Sequence, residues 1–177
     1  MQEELKFKGL FTDIYFVVVQ YDEINFTYPI VTHQLKREMK KIALISCVKK
    51  KLPKKSRAEE LYTSDWFKKA LQFAKKLCPD DIFILSAKYG LLDLDDEIEP
   101  YNITLNKMPV KERNVWAEGV LKQLNKKFDL KNDYFIFLAG NRYRQNILSE
   151  LNSYEIPMEG LPFGKQKQYL KRQLSDV

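Results

Sequence analysis

The chain reads as an α/β protein, a three-layer α/β/α domain with a mostly parallel central sheet, preceded by a β-hairpin-like extension. Three observations lead there. Three short apolar runs, Ile42–Cys47, Ile82–Ala87 and Phe135–Ala139, stay apolar until they end in small or reactive residues. Such runs suit strands buried on both faces, which occur in parallel sheets covered by helices. Each run is followed by a stretch with helix-compatible spacing, the alternation expected of βαβ units. Residues 1–38 behave differently: Asp13–Gln20 and Ile24–Val31 read as two strands around the polar Tyr21-Asp22-Glu23 turn.

The elements follow in order. Gln34–Lys41 is a charged join, and Met39-Lys40-Lys41-Ile42 is a natural start for the α/β domain, so residues 1–38 form an accessory β extension and 39–177 a single domain. The extension either adds an antiparallel edge or a partner-binding strand pair, or completes the sheet; it is the expected place for a protein partner or self-association. After Cys47 comes a basic loop, Lys49–Lys55. Ser56 with Glu59 three residues on is a capping-box pattern that predicts a helix start. A second start lies at Ser64, with Trp66, Phe67, Ala70, Leu71, Phe73, Ala74 and Leu77 at helical spacing up to Cys78-Pro79. A helix over Val110–Lys127 presents Val115, Trp116, Val120, Leu121 and Leu124 as its apolar side. Helices over Arg142–Leu151 and from Leu161-Pro162-Phe163-Gly164 through Leu174 complete the chain.

Composition narrows the function. With 177 residues, 45% of them hydrophobic, the chain can bury one sizeable core. A net charge of +6 favours a polyanionic partner, DNA or RNA. No apolar stretch reaches the roughly 20 residues of a membrane span, and the acidic Met1-Gln2-Glu3-Glu4 start is unlike a signal peptide. Two isolated cysteines, Cys47 and Cys78, read as free thiols in a reducing compartment, and a cytoplasmic protein is expected. One histidine, His33, and two well-separated cysteines match no zinc pattern, so neither metal nor cofactor is expected.

In parallel sheets the ligand site lies beyond the carboxyl ends of the strands. Ser46-Cys47, Lys88-Tyr89-Gly90 and Gly140-Asn141-Arg142-Tyr143 therefore converge on one crevice. The 22-residue connection Lys88–Pro109 is long enough to be functional and carries several carboxylates. Of these Glu99, held by Pro100, is the candidate general base, with Lys88 and Arg144 neutralising charge. Ser46 and Gly140 are candidate contacts to a phosphate or base edge. Cys47 as a nucleophile would need its pKa depressed by Lys49 or Lys88. Tyr62, Tyr89, Tyr101 and Tyr143 offer stacking faces or serve as core tyrosines. The lysines of 49–55 border the same rim, and Lys165, Lys167, Lys171 and Arg172 make the last helix basic.

Six motifs occur together in order. They are Ile-Ser-Cys-x-Lys (45–49), Ala58–Phe67, Leu85–Leu92, Ile98–Leu105, Leu138-Ala139-Gly140 with Tyr143-Arg144, and Gly160–Gln166. In these, residues of about 40–174 resemble a prokaryotic and phage domain family of unknown function labelled DUF6884. The pattern is more distantly similar to the accessory domain of archaeosine synthases and to the uracil-DNA-glycosylase-like α/β fold. Glu99-Pro100-Tyr101-Asn102 resembles the Asp-Pro-Tyr-His segment of those glycosylases. The family usually carries an aspartate after Pro-Tyr, where this chain has Asn102. The resemblance implies nucleobase handling, and it adds Asn102, Gly164 and Gln166 to the expected binding residues. The expected activity is N-glycosidic cleavage or base exchange on a flipped nucleotide, in base modification, repair or phage defence. The alternatives are a non-catalytic nucleic-acid-binding module and a nucleotide sensor.

Overall fold

The computed structural model describes residues 4–8, 13–21, 24–32 and 37–175. Two compact units divide the chain, Met1–Glu38 and Met39–Val177. In the first, strands β1 (Glu4–Lys8), β2 (Asp13–Tyr21) and β3 (Ile24–Thr32) pair antiparallel in that order as a sheet of their own. Tyr21 pairs with Ile24, so a two-residue connection joins β2 and β3; Asp22 and Glu23 of the expected turn, and His33, lie outside the described residues. Pro29 falls on β3, an edge strand, where a missing N–H is tolerated. Strand β1 was not expected, although Glu-Leu-Lys-Phe-Lys alternates with a period of two.

The second unit is built on a five-stranded sheet. Its strands are β4 (Lys41–Ser46), β6 (Asp81–Ser86), β7 (Gly90–Asp93), β9 (Tyr134–Leu138) and β10 (Ser153–Glu155), in the order β10-β9-β4-β6-β7. All neighbours pair parallel except β6 and β7. The three apolar runs are β4, β6 and β9, the centre of the sheet, where Ile42–Ile45 and Phe135–Leu138 are at most 1% exposed. A short ribbon, β5 (Ser56–Arg57) with β8 (Glu97–Ile98), lies outside the sheet.

The helices are α1 (Ala58–Leu61), α2 (Asp65–Lys76), α3 (Val110–Lys127), α4 (Asn141–Leu148) and α5 (Phe163–Ser175). From β4 the chain crosses through α2 to the parallel β6 on one side; from β6 it returns, by way of β7 and α3, to the parallel β9 on the other. Right-handed crossovers in opposite directions put their helices on opposite faces. Accordingly α2 packs with α5 and α3 with α4, completing the three layers. The reversal beside β4 makes the carboxyl ends of β4 and β9 the topological switch point, where such sheets take ligands.

Three local expectations are corrected. Ser56 caps no helix: it pairs with Ile98 in the β5–β8 ribbon, and its hydroxyl donates to the Lys54 carbonyl. The cap lies at Ser64, whose Oγ accepts the Phe67 N–H at 3.1 Å. The Lys88–Pro109 connection is not structureless, since it contains β7 and β8; Leu91 and Leu92 gain burial by pairing antiparallel to β6. Val115 is 62% exposed; α3 buries Val120 and Leu124 as expected, and with them Arg113 and Ala117.

Candidate functional site

At the carboxyl ends of β4 and β6 the reactive side chains face one another. Cys47 extends β4 by donating its N–H to the Leu85 carbonyl at 3.0 Å. Its Sγ lies 3.3 Å from the hydroxyl of Tyr143, in the first turn of α4, so the two bridge the switch point. Ser86 ends β6, and its Oγ accepts the N–H groups of Lys88 (3.3 Å) and Tyr89 (3.1 Å). With both lone pairs engaged, the Ser86 hydroxyl donates to the Tyr101 oxygen 2.7 Å away. Tyr101 in turn lies 2.9 Å from the Tyr62 hydroxyl. Trp116 seals this cluster, donating its indole N–H to the Ser86 carbonyl at 2.8 Å and meeting the Tyr143 ring edge-on.

The electrostatics follow from burial. Desolvation pushes the phenols of Tyr62, Tyr101 and Tyr143 well above their ordinary value, with the nearby Cys47 adding to the rise. Lys51 enters the same cluster. Its Nζ sits 4.2 Å from the Tyr101 ring centre and 5.4 Å from that of Tyr62, and donates to the Val48 carbonyl at 2.9 Å. Burial lowers its pKa, against a smaller opposing influence from Cys47.

Ser46, Cys47, Tyr62, Tyr101 and Tyr143 are thus gathered at one strand end, though Ser46 and Cys47 are only 6% and 7% exposed. Lys49 and Asn102 are exposed to solvent. Lys88, Tyr89 and Glu99 meet at the rim: Lys88 Nζ donates to the Tyr89 hydroxyl at 3.0 Å, and that hydroxyl donates to the Glu99 backbone carbonyl at 3.4 Å. Glu99 is exposed, and its link to Lys88 runs through the backbone rather than the carboxylate. Gly90, at φ +77°, turns β6 into β7, with the Gln123 carboxamide where a Cβ would go and its Oε1 accepting the Leu91 N–H at 2.8 Å.

The end of β9 is different, because it is open. A cavity of about 260 Å³ is lined by Gly140, Asn141, Arg144 and Gln166, backed by apolar Phe137, Ile156, Met158 and Leu161. Gly140 is the N-cap of α4 and provides no capping side chain. Arg144 Nη1 bonds Glu159 Oε1 at 3.1 Å, while its buried Nε has no hydrogen-bond partner. Gln166 is held at both ends, accepting from Trp66 Nε1 at 3.1 Å and donating to the Leu161 carbonyl at 2.8 Å. Gly164 is exposed near the start of α5. Of the expected residues, Arg144, Gly140, Asn141 and Gln166 therefore share this cavity, and Lys88 and Glu99 do not line it.

Lys51, Ser86 and Trp116 were missed as site residues. Ser86 closes an apolar run, a signal the pattern contained, but Lys51 looks like any lysine of a basic loop. Among the described residues no three His, Cys, Asp or Glu side chains are grouped to hold a metal ion, and no helix is long and apolar enough to cross a membrane.

Neither a curated protein nor a solved structure matches the chain. A family of unknown function, DUF6884, matches residues 42–172, from the second residue of β4 into α5. The strand-end cluster and the Arg144 cavity both lie within that span, and the chain belongs to this family.

Proposed function

We propose that the Met39–Val177 unit is a nucleic-acid-binding domain that takes one nucleotide of a strand into the Gly140–Arg144–Gln166 cavity. The observation that carries the reading is this cavity at the switch point: an arginine reaches into it, a glycine-capped helix begins beside it, and an apolar wall backs it. Helix N-termini and arginine both favour phosphate, and the apolar wall suits a base or sugar. The overall charge of +6 agrees with a polyanion.

A second reading is that the same domain acts on the base, by N-glycosidic cleavage or base exchange. What favours it is Lys51, an amine whose charge burial disfavours, beside the hydroxyls of Tyr101, Tyr62 and Ser86. Its chemistry would place Glu99 and Lys88 at the rim and Arg144 in the cavity.

One experiment addresses both. Fluorescence anisotropy with short labelled DNA and RNA strands is expected to show binding near 50 mM salt that weakens steeply by 200 mM, as counterion release requires. No binding at low salt rejects the first reading. The bound strands, carrying a panel of modified bases, are then assayed for abasic sites. Sites formed by the wild type and lost in Glu99→Gln raise the second reading, and none with either protein removes it.

A further inference from the structure

Phe163 opens α5 with 61% of its surface exposed. It is not a stray apolar residue. Its ring stacks on Trp66 at 6.3 Å between centroids and 26° between planes. Trp66 is itself only 4% exposed, and its indole N–H is tied to Gln166, which lines the Arg144 cavity. The ring is therefore backed by a buried aromatic that is hydrogen-bonded to the cavity wall, and its remaining surface faces solvent. An outward-facing ring stacked on a buried aromatic beside the Arg144 cavity is the geometry of a base-stacking platform.

The charge on the same helix fits such a ligand. The α5 sequence, Phe-Gly-Lys-Gln-Lys-Gln-Tyr-Leu-Lys-Arg-Gln-Leu-Ser, contains four cations and no carboxylate. Lys167 and Lys171 follow Phe163 by four and eight residues and so share its face. Asp65 pairs with Lys167 (3.5 Å) and with Lys69, so that group keeps a net positive charge. The carboxylate at the cavity, Glu159 on Arg144, is 67% exposed and can leave without unburying itself.

We propose that Phe163 stacks on a base of single-stranded DNA or RNA next to the nucleotide held in the Arg144 cavity, with Lys167 and Lys171 contacting the backbone. This rests on the binding reading above and adds the kind of strand. A duplex keeps its bases stacked on one another and offers this ring none, whereas a single strand offers every base face. A lipid surface is less well matched, since one exposed ring gives little apolar area to insert.

The test measures anisotropy of a 12-nucleotide single-stranded DNA, its RNA counterpart and a blunt duplex, and co-sedimentation with vesicles of anionic phospholipid, with the full chain as wild type, Phe163→Ala, Phe163→Trp and Lys167→Ala/Lys171→Ala. Phe163→Ala is expected to weaken single-strand binding about 5- to 150-fold, the range of one lost base stack. Phe163→Trp should retain the affinity, and duplex binding should be weaker than single-strand binding and unchanged in Phe163→Ala. The double lysine variant should reduce the slope of log affinity against log salt by about 1.4, since each phosphate contact on a single strand contributes about 0.7. Wild-type binding that Phe163→Ala leaves unchanged overturns the platform while the binding reading stands. No binding of any strand by the wild type overturns the binding reading itself. A Phe163→Ala loss confined to vesicles of anionic phospholipid, with strand affinity unchanged, also overturns the platform. Thermal melts of each variant are expected to match the wild type, since Phe163 and Lys171 are exposed and Lys167 is half-buried; a loss of affinity that tracks a lowered melting temperature overturns the platform.

Discussion

The two strand ends on either side of the switch point make opposite use of similar residues. Where β4 and β6 end, Cys47, Ser86, Tyr62, Tyr101 and Tyr143 point their polar atoms at one another. Where β9 ends, Arg144, Asn141 and Gln166 surround a cavity, and one buried guanidinium nitrogen has no partner. The first end carries more of the residue types that do chemistry, yet its polar groups are satisfied internally. The second carries fewer; Gln166, Asn141 and the Arg144 Nη1 are held by protein partners, but they border a cavity and the buried Arg144 Nε has none. Reactive residue types at a strand end therefore do not by themselves make a site; unsatisfied polar groups beside a void are the stronger sign, because native interiors rarely leave them.

The largest expected effect lies at the closed end. Tyr101→Phe removes the oxygen between Ser86 and Tyr62 and should cost about 1–3 kcal/mol of stability in urea unfolding, with strand binding unchanged. A substitution that lowers affinity but not stability would move the ligand site to this end. Next, Arg144→Ala at the open end should weaken strand binding about tenfold, the size of one charged hydrogen bond. Its unfolding midpoint should shift less than that of Tyr101→Phe, since the partner Glu159 is largely exposed. The reverse pattern would make Arg144 structural.

The two ends also separate by pH, with the Lys51 contribution the smallest. The phenols of Tyr62, Tyr101 and Tyr143 titrate above the ordinary 10.0 in the folded protein. Above pH 10 the unfolded chain releases those protons and the folded one keeps them, so stability falls, by at most about 1.4 kcal/mol per pH unit for each. Lys51 has the opposite sign. Its folded pKa lies below 10.5, so between the two values the unfolded chain holds the extra proton and stability rises with pH. Urea midpoints followed from pH 8 to about 11.5 should show Lys51→Met removing a shallow rise below 10.5 and leaving the fall above pH 10 in place. Strand binding by the open end should not follow the tyrosine limb.

Much of the architecture was legible from local pattern. The apolar runs of β4, β6 and β9 read as strands buried on both faces and are the central three, and α3 begins and ends where its spacing predicts, at Val110 and Lys127. Ser64 was readable as a cap because the side chain bonds a backbone N–H three residues away. Ser56 carried the same signal and became a strand, since its pairing with Ile98 joins residues far apart in the chain. The antiparallel β7 was hidden for a related reason: four residues are too few to show a period, and only β6 gives them partners.

The site divides along the same line. Strand direction was enough to point to the strand ends, but the lysines, tyrosines and Gly140–Arg144 expected in one crevice divide between a closed cluster, a rim and a cavity lined by no lysine or tyrosine. Which end is closed and which is open depends on where side chains from distant segments meet. Tyr143 reaches Cys47 across 96 positions, Gln166 reaches Trp66 across 100, and Lys51 lies over a tyrosine 50 residues on. Such meetings are products of packing between layers, and packing is where the tertiary structure alone decides.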